Sequence, residues 1–496
     1  MSKLTAAVFW SYLFSTGSMA ITGLLTFVLA AILDPESFGV LALGMLWVGF
    51  AQMLLQHGPT LAVVQLDEIT DEQIDAAFWT TIGGALFFGL AFGALAPAWA
   101  AFNDLPGLVW VSWALIGVTL LNSVSVIPDA VLRREMKFKP IAVRAVIGNG
   151  IGGVVGITGA LLGWGVWALV AHQLVAYGVY TLTVWTVISW RPRLPRIGRI
   201  RREMRVMRKQ SIHTLGGAVG VFFANRMDVL MMGAFFGPVM VGLYRFALRL
   251  AEMVVDLTSR GLQQVSLPEL ARHQGDRQEL GRRLANLVHI AVVMSVPALA
   301  VLAAVAEPLL ALVGPQWMEA AAPVRLLCAV SALGTVNALL GPAMQAVQRA
   351  LVPAALTWVA AALSGLGLAG AAWLSRDSGT VGQLVAVGTA AVVVQAFMFL
   401  ANVVLAYGFV LKIPFVPTLR AIMPSLIAAA AAAAAAWAGV SLSAGSPPLV
   451  SLLAGGAAGG FTALVVLIAI DDTFRSHARR LPARLRPAKT PAKTPA

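Results

Sequence analysis

Residues 218–256 read AVGVFFANRMDVLMMGAFFGPVMVGLYRFALRLAEMVVD: two apolar runs broken at Gly237-Pro238. A helix that crosses the hydrocarbon of a bilayer needs about 20 mostly apolar residues. One such run lies on each side of the break, so the stretch reads as two spanning helices joined by a short turn. Both carry charge at the depth of lipid. Asn225-Arg226-Met227-Asp228 lies inside the first, and Arg245, Arg249, Glu252 and Asp256 lie inside the second, with Arg260 one turn further along. At about 100° per residue the four charges of the second helix and Arg260 fall within an arc of about 80°. A charge at the centre of a span costs about 2.5–3.5 kcal/mol, so four on the lipid side would cost roughly 10 kcal/mol. The stripe therefore faces the protein interior. Two arrangements satisfy it. One is a chain of ion pairs, Arg245 and Arg249 with Glu252 and Asp256, and Arg226 with Asp228 across the turn. The other is a hydrated cavity that takes an anionic ligand on the arginines and a cation on the carboxylates.

The rest of the chain repeats the apolar pattern. Of 496 residues, 59% are hydrophobic and 11% charged, against about 25% charged in a soluble domain. Mean hydropathy is +0.83. Apolar runs fall near 6–33, 38–56, 77–101, 108–130, 141–162, 166–189, 211–236, 241–266, 284–312, 320–347, 351–374, 381–409, 419–442 and 449–470. The expected fold class is thus an all-α integral membrane protein with about 14 transmembrane helices. The net charge of +13 is a matter of topology rather than of nucleic-acid binding. One set of connections holds only Arg376, whereas the alternate set and the two termini hold 27 of the 35 Lys and Arg residues. By the positive-inside rule the rich set, with both termini, is cytoplasmic. Residues 57–76 lack Lys and Arg but carry Asp67, Glu68, Asp71, Glu72 and Asp75, and their spacing predicts a short surface helix. The end, RPAKTPAKTPA, is of low complexity, as in disordered tails. Cys328 stands alone, the six histidines show no metal-ligand spacing, and no phosphate-binding loop occurs. The acidic pair Asp471-Asp472 at a membrane edge is a weak basis for catalysis, and no sizeable extramembrane segment exists to house an enzyme.

The chain also repeats itself. Asp34-Pro35-Glu36-Ser37-Phe38-Gly39-Val40-Leu41 follows the first span, and Gly237-Pro238-Val239-Met240-Val241-Gly242-Leu243-Tyr244 follows the seventh, 203 residues later. An offset of six spans gives two repeats of the same membrane orientation. Further segments are Ala77-Phe78-Trp79, the run from Pro128-Asp129 to Lys137-Phe138, Gly163-Trp164-Gly165-Val166-Trp167, Arg249, Gly314-Pro315-Gln316-Trp317 and Ala322-Pro323. In this order they resemble the polysaccharide transporters of the multidrug/oligosaccharidyl-lipid/polysaccharide exporter superfamily, the lipid-linked oligosaccharide flippases.

The resemblance implies two six-helix lobes around a central cavity with two peripheral helices. That gives an N-lobe at 1–190, a basic cytoplasmic linker at 191–210, a C-lobe at 211–410, peripheral spans at 411–470 and a cytoplasmic tail at 471–496. It implies a bacterial inner-membrane flippase, not an enzyme, that moves an undecaprenyl-diphosphate-linked oligosaccharide outward by alternating access, for exopolysaccharide or lipopolysaccharide synthesis. Asn225, Arg226, Arg245 and Arg249 would bind the substrate, because guanidinium forks match phosphate oxygens. Asp228, Glu252 and Asp256 would hold a coupling ion or pair with the arginines. No cofactor is expected; H⁺, Na⁺ or the membrane potential would drive the cycle. Membrane lipids, a glycan polymerase and glycosyltransferases are the expected partners, and nucleic acid is not. The alternatives are an ion-coupled multidrug exporter of the same superfamily and, in a different class, a membrane glycosyltransferase or polymerase. Spans 1 and 2 offer only Ser, Thr and Gln at comparable depth, Ser11, Ser15, Thr16, Ser18, Thr22 and Gln52, so the cavity would be charged on one side only. Asp129 is expected to pair with Arg133 at a cytoplasmic rim, with Arg144 as a separate rim residue.

The charge split gives a direct test of topology. A reporter fused after Lys209 should read cytoplasmic, and one fused within 237–240 should read periplasmic; a reversed result at either site would remove the fourteen-span arrangement.

Overall fold

The computed structural model describes residues 21–66, 68–194, 197–471 and 474–475, and the regular structure among them is helical throughout. The first helices are α1 (Ile21–Ile32), α2 (Pro35–Leu55), the short α3 (Leu61–Gln65), α4 (Asp71–Phe102), α5 (Leu108–Arg134), α6 (Phe138–Leu161) and α7 (Val166–Val187). Next come α8 (Ile197–Thr258), α9 (Arg260–Ala271), α10 (Arg277–Ala304) and α11 (Ala306–Val313). After a 3₁₀ turn at Pro315–Ala320 follow α12 (Ala321–Ala346), α13 (Leu351–Ser375), α14 (Thr380–Val403), α15 (Val416–Leu442) and α16 (Pro448–Ile470).

Twelve helices among the described residues are long and apolar enough to cross a membrane. One of them, Ala218–Thr258, is 41 residues long, about 60 Å and twice the hydrocarbon thickness. It is not straight: Gly237 has φ 77° and ψ 179°. Glycine alone takes such a conformation without a steric penalty from Cβ. Divided at Gly237 the helix makes two spans, as its sequence predicts. The expected first span is seen in its second part, α1; its start, with Ser11, Ser15, Thr16 and Ser18, lies outside the described residues. With these two points the order of elements is that of fourteen spans. The backbone expected as a linker at 191–210 is helical from Ile197 on and leads into α8. The tail beyond Arg475 is outside the described residues.

Local signals explain several helix starts. Asp34 caps α2 by accepting a 2.8 Å hydrogen bond from the Ser37 amide, with Pro35 at the first helical position. Thr70 and Gln73 form a capping box at the start of α4. The acids Asp71, Glu72 and Asp75 therefore occupy the first turns of the third span, where they favour the helix dipole, and do not form the separate surface helix expected at 57–76.

The helices fall into two compact units. One takes the described residues through Met253 with Leu310–Leu327 and Arg349–Met398; the other takes Val254–Leu309, Cys328–Gln348 and the described residues from Phe399 on. In lipid, apolar side chains gain nothing by leaving the tails, so close packing of small residues holds helices together. Within the first unit, Gly148, Gly152 and Gly156 of α6 face Tyr180, Ala176 and His172 of α7, whereas Gly153 faces Leu25 of α1 and Gly150 meets nothing. The glycines of this helix are thus divided between two neighbours. Within the second unit, Gly439, Gly455 and Gly459 let α15 and α16 meet backbone to backbone, with Ala428, Ala432 and Ala436 fully buried.

The two turns that the 203-residue offset aligns lie against each other in the first unit. A Cβ on Gly39 would fall on the carbonyl of Pro238, and a Cβ on Gly242 would fall on the carbonyl of Pro35. The contact is reciprocal, as a two-fold relation between repeats requires. Beside it sits Trp317, fully buried, whose indole N–H donates to the Ala30 carbonyl at 2.7 Å. Its ring meets Phe246 at 4.3 Å and Phe38 at 5.3 Å between centroids. Three Lys- and Arg-poor turns therefore converge, in keeping with their assignment to one membrane face.

Both glycines are sterically required. Gly39→Ala and Gly242→Ala should each lower stability by about 1–3 kcal/mol, the range for overpacking, read as a lower thermal midpoint of the purified protein. Gly83→Ala, where a Cβ meets open space, should leave the midpoint unchanged or raise it.

Candidate functional site

The fold-back at Gly237 brings together residues that a straight helix would hold far apart. Arg245 Nη1 lies 3.2 Å from Asp228 Oδ2. Seventeen positions of straight helix would separate them by about 25 Å, so this pair is itself the mark of a hairpin. Its side chains are 20% and 13% exposed, and Asp228 Oδ1 is buried with no hydrogen-bond partner among the described residues. Arg226, half-buried, lies in the electrostatic reach of Arg245, Asp228 and Glu252. Arg226 was expected across the turn from Asp228; the side chain that bonds Asp228 is Arg245. Arg249 lies 3.7 Å from Glu252, a loose contact between two partly exposed groups at 31% and 42%. Asn225 is exposed. Asp256 belongs to the second unit, where it pairs with Arg260 at 3.1 Å. So the structure brings Arg226, Asp228, Arg245, Arg249 and Glu252 into one group.

Sequence reasoning did not find the rings beside this group. Phe50 of α2 meets Phe222 and Phe223 of α8 at 5.2 and 5.9 Å, and Phe223 meets Trp358 of α13 at 6.4 Å. Gly365 of α13 leaves room for the Met227 thioether between Arg226 and Asp228. The charged group thus adjoins an aromatic wall from three helices. A Phe that faces a neighbour and a Phe that faces lipid look alike in an apolar run, which is why no signal marked them.

The N-terminal spans are also charged, contrary to expectation. Asp129 of α5 forms a close ion pair with Arg144 of α6, not with Arg133. Both side chains are mostly buried, at 14% and 13% exposure, so Asp129 and Arg144 form one buried pair. Asp129 Oδ1 and Arg144 Nη1 are each left without a partner among the described residues. The Arg144 guanidinium lies 5.8 Å from the Tyr180 ring centroid. Tyr180 donates to Asn149 Oδ1 at 2.6 Å, and Asn149 donates to Thr22 Oγ1 at 3.2 Å. One residue on, Gly23 packs against Met253, the neighbour of Glu252. Through α1 the polar line of the N-terminal spans runs up to the charged hairpin. Gln52 is half-buried, with its side chain beside Tyr177.

The guanidinium groups inside the spanning helices are paired with carboxylates, Arg245 with Asp228, Arg249 with Glu252 and Arg144 with Asp129. Among the described residues no three of His, Cys, Asp and Glu converge as metal ligands do.

Comparison with known proteins gives this site a family. A model described as "Polysaccharide biosynthesis protein" matches residues 28–322, more than half of the chain. The chain belongs to the polysaccharide biosynthesis protein family. Among its relatives is the succinoglycan biosynthesis transport protein ExoT of Rhizobium meliloti (strain 1021), 26% identical over 318 residues, 64% of each chain. Another is the teichuronic acid biosynthesis protein TuaB of Bacillus subtilis (strain 168), 23% identical over 298 residues, 59% of this chain and 60% of that one. The matched stretch is thus under two thirds of these relatives' length. Among solved structures, the lipid II flippase MurJ in an inward closed conformation superposes with a TM-score of 0.67 at 12% identity, over 96% of this chain and 99% of that one. An inward-facing multidrug resistance MATE family transporter of the MOP superfamily gives 0.58 at 15% identity, over 79% and 95%. The polysaccharide biosynthesis family member described here therefore has the MurJ- and MATE-like fold, a multi-pass membrane protein.

The Arg245–Asp228 pair is open to a stability test. Breaking a buried pair costs about 3–5 kcal/mol, while replacing both members with apolar residues of similar volume is close to neutral. Asp228→Ala should lower membrane abundance sharply, and Asp228→Leu/Arg245→Met should restore it. Immunoblots of membrane fractions separate the two cases.

Proposed function

We propose that the chain is a flippase for lipid-linked oligosaccharides. It would move a polyprenyl-diphosphate glycan from the cytoplasmic to the periplasmic leaflet of a bacterial inner membrane by alternating access, with both termini cytoplasmic. The observation that carries this is the guanidinium group of Arg226, Arg245 and Arg249 inside the membrane of a polysaccharide biosynthesis family member. A polyprenyl-diphosphate glycan presents a doubly anionic centre between an apolar chain and a polar glycan. Arg249 is partly exposed and stands 3.7 Å from Glu252, which suits a fork that exchanges a carboxylate for phosphate oxygens. The aromatic wall of Phe50, Phe222, Phe223 and Trp358 suits apolar faces of the same substrate.

The cycle follows from the same parts. The lobes at 1–190 and 211–410 would rock about the site. The reciprocal contact of the Pro35 and Pro238 turns, with Trp317 beside it, would be the periplasmic closure. It joins backbone to backbone at Gly39 and Gly242, with the rings of Phe38, Phe246 and Trp317 beside it, and would have to part for the outward-open state. A diphosphate arriving at the arginines releases carboxylate charge, and Asp228, Glu252 or, further along the helix, Asp256 would then take up H⁺ or Na⁺. Membrane lipids surround the substrate chain, and the glycosyltransferases that build the glycan and the polymerase that receives it are the fitting partners. A multidrug exporter shares the fold, but an arginine group does not suit the cationic drugs such exporters carry.

Arg249→Ala tests the substrate role. Each charge-assisted hydrogen bond lost costs about 1.5–3 kcal/mol, so glycan export should fall at least tenfold while protein abundance holds. Arg249→Lys should recover export in part, because it keeps the charge but not the fork. If instead Arg249→Ala lowers abundance and Arg249→Ala/Glu252→Gln restores it, the residue serves structure and not substrate.

A further inference from the structure

The first unit holds a polar line that transport by the arginine group does not use. It takes five side chains from four helices: Thr22 of α1, Asp129 of α5, Arg144 and Asn149 of α6, and Tyr180 of α7. Packing does not call for them. Apolar residues of similar volume replace a buried ion pair at little cost, or with a gain. Ionisable groups inside spanning helices are costly, and they mark the paths that substrates take. An Asp, an Arg and three neutral hydrogen-bonding groups in one line therefore point to a ligand.

The chemistry of the line says which kind. At one end Asp129 and Arg144 hold each other, and Asp129 Oδ1 and Arg144 Nη1 are left over on the same pair. The carboxylate oxygen accepts and the guanidinium nitrogen donates, so the group that satisfies both is one that donates and accepts at once, a hydroxyl. A diphosphate only accepts and would bring like charge to Asp129; an apolar chain does neither. Beyond the pair the groups are neutral. Tyr180 donates to Asn149 Oδ1 at 2.6 Å, and Asn149 donates to Thr22 Oγ1 at 3.2 Å. Two hydroxyls and an amide can each donate and accept, so their mutual bonds exchange for those of a polyol. Position agrees with chemistry. Gly23, next to Thr22, packs on Met253, next to Glu252, so the line ends beside the charged hairpin. We propose that Thr22, Asn149, Tyr180, Arg144 and Asp129 are a sugar-binding subsite for the glycan whose diphosphate sits at Arg226, Arg245 and Arg249. The subsite rests on the flippase reading above and adds to it the place of the glycan. The first sugar is bonded to the diphosphate, and inside the membrane a chain of hydroxyls needs hydrogen-bond partners along its way.

Binding to the full chain in lipid nanodiscs, read by native mass spectrometry, gives the test. Two probes are compared: lipid-linked oligosaccharide extracted from the membranes of cells that make it, and bare polyprenyl diphosphate. Tyr180→Phe removes one hydroxyl, and Asp129→Leu/Arg144→Met removes the pair while keeping its volume. Each should weaken binding of the oligosaccharide-bearing lipid about tenfold, the loss of one or two hydrogen bonds, and leave binding of the bare diphosphate unchanged. Arg249→Ala should weaken both probes alike. If the two variants bind the oligosaccharide-bearing lipid as the wild type does, or lose both probes equally, the line serves structure or ion coupling, and the subsite is overturned while the flippase reading stands. A wild-type chain that binds neither probe contradicts the flippase reading, and the subsite with it.

Discussion

Arg245 reaches Asp228 because the chain turns back at Gly237, and the rest of the first unit is arranged around that pair. A guanidinium in hydrocarbon costs several kcal/mol without a partner. The nearest carboxylate on its own helix, Glu252, is two turns away and loosely engaged with Arg249. Satisfaction comes from the preceding span, at a position that only a tight hairpin brings within 3.2 Å. The hairpin in turn requires a residue free to adopt positive φ, and Gly237 supplies it. One backbone angle thus connects the topology of two spans with the chemistry of the site.

The same turn serves a second contact. Pro238, one residue on, lies over Gly39, while Pro35 lies over Gly242. Two short loops, unlike in most of their residues, keep glycine at the two places where backbone meets backbone. An interface of this kind gains from close approach and loses little side-chain entropy when it forms. Arg245 lies one helical turn beyond Gly242, so the charged pair and the turn contact are neighbours on the same helix.

What the sequence showed, and what it hid, follows from the range of the signals. Span lengths and the Gly237-Pro238 break are local, and each stands in the structure close to where the residues put it. The 203-residue offset was legible because Pro and Gly recur at matching places in a short turn. Tertiary partners were not. Asp129 has Arg133 one helical turn away, the obvious choice along a helix, yet it pairs with Arg144 across the α5–α6 turn. His289 Nε2 stands 3.2 Å from Asp471 Oδ2, a contact that nothing in sequence joins because the residues are so far apart. The acids at 71–75 misled through the same limit: a helix start and a surface helix share the charge pattern, and the Thr70–Gln73 capping box decides between them.

Moving the substrate is the central claim, and reconstitution measures it most directly. The purified chain is placed in vesicles that carry a polyprenyl-diphosphate oligosaccharide, and the glycan remaining accessible to an external glycan-cleaving enzyme is followed over time. The account predicts that vesicles with the protein transfer glycan between leaflets, that empty vesicles do not, and that cationic dyes are not expelled under the same conditions. Absence of glycan transfer together with ion-driven expulsion of dye would contradict it.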